Sequence, residues 1–143
     1  MAASILVDTG PLLAIINRRE RWHKRCKAML PHLPFPLLTS EAVLTELLYM
    51  LRADRRAIQT AWGFVNSGVI TLGGIGDQDL PGLAALMKQY ADVPMDFADA
   101  TLVYLAQREH LTTVFTIDSD FLIYRIGGRR RFRLLPDLVL LTH

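Results

Sequence analysis

Short apolar runs alternate with helical stretches along this chain, and no other feature limits its fold as strongly. Ser4-Ile5-Leu6-Val7 reads as a short buried strand. Thr9-Gly10-Pro11 then opens a helix, with Pro11 suited to the first turn, where its missing N–H costs nothing. That helix carries Leu12, Leu13, Ile15 and Ile16 on an apolar face. A second helix is expected from about Arg21 to just before Pro31. Phe35-Pro36-Leu37-Leu38 leads into Thr39-Ser40, which can cap a helix over residues 41–51. A further helix is expected over 55–66, a strand over 69–72, and a turn at Gly73-Gly74-Ile75-Gly76. Helices over 79–90 and 95–109 follow, the first with Pro81 in its first turn. A strand at 113–117, a short helix at 119–124 and a strand at 132–135 come next. Val139-Leu140-Leu141 is a candidate terminal edge strand.

Such alternation predicts an α/β fold, with three α/β/α layers around a central, mostly parallel sheet. In open sheets of this kind ligands bind beyond the carboxyl ends of the strands, so those ends are where chemistry is expected. The 143 residues suit one domain, residues 1–143, and a 51% apolar content suffices for a sizeable core. No apolar run is long enough to span a bilayer, and the start shows no positive segment leading into an apolar core. A cytoplasmic protein without a membrane partner is therefore expected. The single cysteine, Cys26, excludes an intramolecular disulfide and argues against a thiolate zinc site.

Net charge is only +2, but the basic residues are clustered. One group spans Arg18, Arg19, Arg21, Lys24, Arg25 and Lys27. A second is Arg52, Arg55 and Arg56; a third lies between Arg125 and Arg133. Solvated surface is the ordinary reading of such runs. The sharper one is a basic rim around an acidic centre, suited to a phosphodiester substrate.

The acidic residues fall where the sheet rule directs attention. Asp8 follows the first strand directly, and Asp118 follows the strand at 113–117. Glu46 interrupts the apolar run Val43-Leu44-Thr45-Glu46-Leu47-Leu48. Asp96 and Asp99 are three apart at a helix start and share a face. Asp99 sits within Phe97-Ala98-Asp99-Ala100, which reads as a buried face, and Asp120 follows Asp118 by two. Taken singly, Asp8, Asp96 and Asp120 are suited to capping helices and Glu46 to a solvated helix surface. Together they form a group of carboxylates at buried or strand-end positions, with no basic residue near in sequence to pair with all of them. Two like charges ~4 Å apart repel by about 4 kcal/mol at an effective dielectric of about 20. A divalent cation would resolve that repulsion. Oxygen-only donors favour Mg²⁺ or Mn²⁺ over zinc, and such ions activate water and steady charge on a phosphodiester.

The ordered set Val7-Asp8-Thr9-Gly10-Pro11-Leu12, then Glu46, then Met95-Asp96-Phe97-Ala98-Asp99-Ala100, then Thr116-Ile117-Asp118-Ser119-Asp120-Phe121 resembles a PIN domain. It is most similar to the VapC-type toxins of bacterial toxin–antitoxin pairs. The resemblance covers essentially the whole chain. It implies a Mg²⁺- or Mn²⁺-dependent endoribonuclease acting on RNA. It further implies that Asp8, Glu46, Asp99 and Asp118 converge on the metal, with Asp96 and Asp120 as added ligands or supporting acids. Thr9 and Thr116 match positions that steady the acids or bind phosphate. A homodimer restrained by a small antitoxin protein is also implied.

Two other function classes compete. One is a non-catalytic PIN-like module that holds RNA or a protein; the intact acid set argues against it. The other is a phosphatase, but Asp8 is not followed two residues later by a second aspartate. Ile126-Gly127-Gly128-Arg129 reads as a flexible loop before a strand. It offers Arg129 and Arg130, with Arg131 and Arg133, to RNA phosphates or to an acidic antitoxin. Gly74-Ile75-Gly76 reads as a turn and not a dinucleotide motif, since Asp79 holds the third glycine position. His23, His32, His110 and His143 lack metal-ligand spacing, and no Gly-x-Ser-x-Gly elbow occurs. Met50, Met87 and Met95 are expected in the core, and Trp22 and Trp62 in core or interface packing.

Overall fold

The structure, a computed structural model, describes residues 2–137. Strand β1 (Ile5–Val7) is followed by helices α1 (Thr9–Ile16) and α2 (His23–Met29) and a 3₁₀ turn, Leu30–His32. Next come β2 (Leu37–Thr39), α3 (Glu41–Met50), α4 (Arg55–Asn66) and β3 (Ile70–Leu72). Helices α5 (Leu80–Gln89) and α6 (Phe97–Glu109) lead to β4 (Thr113–Phe115) and a 3₁₀ turn, Ser119–Leu122. Short strands β5 (Arg125–Ile126) and β6 (Arg130–Arg131) precede β7 (Arg133–Leu135). The sheet has five strands in the order β3-β2-β1-β4-β7, and every pairing is parallel.

Strand alternation explains the three layers. Ile5, Val7, Leu37, Ile70 and Phe115 enter one apolar core with Leu12 and Leu13 of α1, Leu47 of α3 and Ala57 of α4. Leu6, Leu38, Val114 and Leu134 point the other way, into a core with Leu83 of α5 and Leu102 and Leu105 of α6. Both faces of the central strands β1 and β2 are apolar because both are covered, which is why those strands read as continuous apolar runs. The strand order reverses at β1, with β2 on one side and β4 on the other. Asp8 and Asp118 thus lie next to the topological switch point, where ligand sites form.

Several boundaries differ from expectation. The strand predicted at 113–117 ends at Phe115, because Asp118 turns the chain into the 3₁₀ helix by accepting from Asp120 N. The short helix predicted at 119–124 is 3₁₀ and stops at Leu122. Helix α6 starts at Phe97 and not Met95, since the Asp96 carboxylate accepts the Asp99 N–H and fixes the helix start there. The loop predicted at residues 126–129 is the turn of a hairpin: Arg125 pairs Arg131 and Ile126 pairs Arg130. Gly127 (φ 61°) and Gly128 (φ 77°) make that turn in a region where side chains are strained. Met50 and Trp62, at 50% and 43% exposure, lie outside the core, whereas Met95 is buried as expected. The candidate strand Val139-Leu140-Leu141 lies outside the described residues.

Candidate metal centre

Asp8 continues β1 by donating its N–H to the Phe115 carbonyl (3.0 Å), and its side chain caps α1. One carboxylate oxygen accepts from Thr9 N (2.8 Å) and the other from Thr116 Oγ1 (2.9 Å). The Thr116 hydroxyl also accepts the Asp118 N–H (3.0 Å), so one buried threonine couples the two strand-end aspartates. Asp118 in turn accepts from Asp120 N (2.9 Å). Gly10 permits this closeness: a Cβ there would lie 2.7 Å from Ile117 Cγ1, driving apart the start of α1 and the end of β4.

Asp99 arrives from α6, one turn in from the Asp96 cap (2.8 Å, Asp99 N to Asp96 Oδ1). Carboxylate oxygens of Asp8, Asp99 and Asp118 all lie within 4.8 Å of one another. The two salt bridges among the described residues both involve Arg108, far along α6, so no side-chain cation neutralises the cluster. Burial pushes the Asp8 carboxyl up to about 6; its hydrogen bonds from Thr116 and Thr9 pull against that, while the Asp118 and Glu46 charges add to it. Burial, then the Asp8 charge, pushes Asp99 up to about 8, against the pull of a Tyr124 hydrogen bond. Asp118 is raised mainly by burial, and by the charges of Asp120 and Asp96.

The donor set matches a hard divalent cation: three converging carboxylates, no sulfur or imidazole, and uncompensated charge. Thr9 fits the same picture, because its buried Oγ1, one residue from Asp8, has no hydrogen-bond partner.

The remaining predicted residues stand around this trio. Glu46 is half-buried on α3, outside the trio but near enough for its charge to raise Asp8. Glu46 and exposed Asp96 line an open groove of about 800 Å³ with Tyr49, Ile75, Phe97 and Thr101. Asp120 is half-buried beside Asp118. Arg129 and Arg130 are exposed on the β5–β6 hairpin.

Tyr124 was not legible in the sequence. It is fully buried, donates to Asp99 Oδ2 (2.8 Å), and stacks edge-on against Tyr90 and Phe121. Its position just past the Asp118 turn was the only hint. Tyr124→Phe removes that donor and leaves one Asp99 oxygen unsatisfied. Its Mn²⁺ affinity by titration calorimetry is expected to fall roughly 10-fold or more, and an unchanged affinity would make Tyr124 a packing residue only.

An open parallel α/β sheet with acids gathered at the carboxyl ends of neighbouring strands, where they could hold a metal ion, defines a class of small domain. Residues 5–127 match the PIN domain family, and the chain belongs to it. Ribonuclease VapC26 of Mycobacterium tuberculosis is 27% identical over 136 residues, covering 92% of this chain and all of that protein. Among solved structures, the Mycobacterium tuberculosis VapC20 toxin, which cleaves the sarcin–ricin loop, superposes with a TM-score of 0.74 at 22% identity. That match covers 82% of this chain and 92% of VapC20. VapBC2 of Rickettsia felis, bound to a promoter DNA fragment, gives a TM-score of 0.61 at 14% identity, with coverages of 91% and 97%. At these identities the two structures speak for the shared fold.

Proposed function

We propose that this protein is an endoribonuclease that hydrolyses RNA phosphodiester bonds with Mg²⁺ or Mn²⁺ and serves as the toxin of a toxin–antitoxin pair. One observation carries the reading: Asp8, Asp99 and Asp118 converge within 4.8 Å without a neutralising side chain. Membership of the PIN family and the likeness to a VapC ribonuclease support it. A divalent cation held by these three acids would supply Lewis acidity and an activated water. Thr116 holds Asp8 and Asp118 in register, and Tyr124 orients Asp99. Glu46 completes the acidic group from α3, with Asp96 and Asp120 as supporting acids. Thr9 fixes Asp8 through its backbone N–H. Arg129 and Arg130 contact RNA phosphates from the hairpin.

The same reading takes a small antitoxin protein as partner, a homodimer as the assembly, and the cytoplasm as the place of action. Exposed Tyr49 and Phe97 are large side chains that pairing of two copies would cover. No described helix is long and apolar enough to cross a membrane. The test is cleavage of a mixed-sequence RNA pool by the purified chain with Mg²⁺, with Mn²⁺, and with a chelator. Cleavage in both metals and none in the chelator is expected; metal-independent cleavage, or none at all, would overturn the proposal.

A further inference from the structure

Two basic runs, far apart in sequence, are folded together. Arg18 and Arg19, just past the end of α1, line a cleft of about 500 Å³ whose other side is Met50, Ala53, Asp54 and Ala57 of the α3–α4 corner. Arg18 also lines an adjoining open depression with His23, Lys24 and Lys27 of α2. The two segments, residues 18–27 and 52–56, hold nine Lys and Arg residues against two carboxylates, Glu20 and Asp54. With a chain total of only +2, everything outside them is net negative. All nine cations are exposed, and none has a carboxylate within salt-bridge distance among the described residues. Asp54 caps α4, its Oδ1 accepting the Arg56 and Ala57 N–H groups, and its charge offsets one of the nine. Arg52 is held in place, packed over the Tyr49 ring at 4.0 Å and donating to the Tyr49 carbonyl.

This cleft is not a rim of the acidic centre. Helices α1 and α3 both start at the carboxyl ends of their strands, beside the acids, and run away from them. At 1.5 Å per residue, α1 places the Arg18–Arg19 side of the cleft on the order of 12–15 Å from Asp8. The arginines of the cleft thus stand at the opposite end of α1 from Asp8. We infer that this cleft is a second RNA site, which grips the phosphate backbone away from the scissile bond without reading bases. Arg18 and Arg19 in the cleft and Lys24 and Lys27 in the adjoining depression suit successive phosphates, with exposed Arg55 and Arg56 following the cleft wall Ala53–Asp54 in sequence, and such contacts position a strand without specifying sequence. The choice of RNA as ligand rests on the ribonuclease reading.

Binding of a mixed-sequence single-stranded RNA of about 30 nucleotides, in chelator so that no cutting occurs, is the test. Each neutralised contact removes about 0.7 from the slope of log affinity against log salt. Arg18→Ala, Arg19→Ala, Lys24→Ala and Lys27→Ala combined are expected to lower the slope by about 3 and weaken binding at least tenfold near 100 mM salt. Arg55→Ala with Arg56→Ala, on the second segment, is expected to lower it by about 1.4. Unchanged slopes in both variants would overturn the inference. So would an unchanged RNA slope with lost binding to poly-glutamate, which would assign the cleft to an acidic protein segment. Wild-type cleavage in Mg²⁺ with unchanged slopes sinks the cleft alone. Slopes that fall as expected without any cleavage sink the nuclease reading alone.

Discussion

Asp99→Asn is expected to lower RNA cleavage about a thousandfold while the chain keeps its fold. The carboxylate is held in a buried, hydrogen-bonded position within 4.8 Å of Asp8 and Asp118. No salt bridge among the described residues offsets its charge, so under the proposed function that charge acts on the metal. A full charge acting over ~4 Å at an effective dielectric of about 20 is worth about 4 kcal/mol, and that energy corresponds to roughly a thousandfold in rate. The asparagine carbonyl can still accept from Tyr124, so packing around α6 is preserved. Asp8→Asn is expected to behave alike, since its carbonyl can accept from Thr9 N and its amide can donate to Thr116. Single-turnover cleavage of a defined RNA, beside circular dichroism of each variant, checks this. Near-normal turnover by either folded variant would remove that residue from the chemistry.

The second large effect is on stability, and its sign is unusual. The folded-state values of Asp8 and Asp99 are raised from 3.8 to about 6 and about 8. Between pH 3.8 and 8 the native chain therefore binds more protons than the unfolded chain, so stability falls as pH rises through that window. At about 1.36 kcal/mol per unit, the loss from Asp8 alone is on the order of 3 kcal/mol. Metal-free protein is expected to melt several degrees lower at pH 8 than at pH 5. Mg²⁺ or Mn²⁺ at about a hundred times its dissociation constant returns about 2.7 kcal/mol, because it binds only the folded chain. In metal-free buffer at pH 8, Asp99→Asn is expected to melt above wild type, since the costly buried charge is gone. Adding metal should reverse that order. Calorimetric scans at the two pH values, with and without metal, decide it; a metal-insensitive wild type, or a wild type that gains stability toward pH 8, would refute a preformed acidic site.

These expectations rest on features read at two levels. The β–α alternation was visible because burial imposes local patterns: Ile5–Val7 and Leu37–Thr39 are apolar on both faces since both faces are covered. Asp8, Asp99 and Asp118 stood out because a carboxylate at a strand end or on an apolar helix face is costly without a role, and that cost is legible residue by residue. The same logic placed Glu46, yet sequence could not tell that it stands outside the trio, because a helix position fixes a face and not a distance. Met50 was misplaced for a related reason: a methionine near a helix end reads as core, but α3 turns that end outward.

The sequence by itself determined the kind of sheet, the strand ends beside which acids would stand, and a set of candidate acids that includes the three that converge, since each follows from local propensity and burial. Only the tertiary structure decided which atoms meet. Parallel crossovers bring α6 beside β1 and β4, so that Tyr124 reaches Asp99 across 25 residues and Thr116 reaches Asp8 across 108. The same crossovers set Arg18 beside Ala53 and Asp54 at the far ends of α1 and α3. Contacts of that separation are fixed by how whole layers pack, and no local pattern along the chain encodes them.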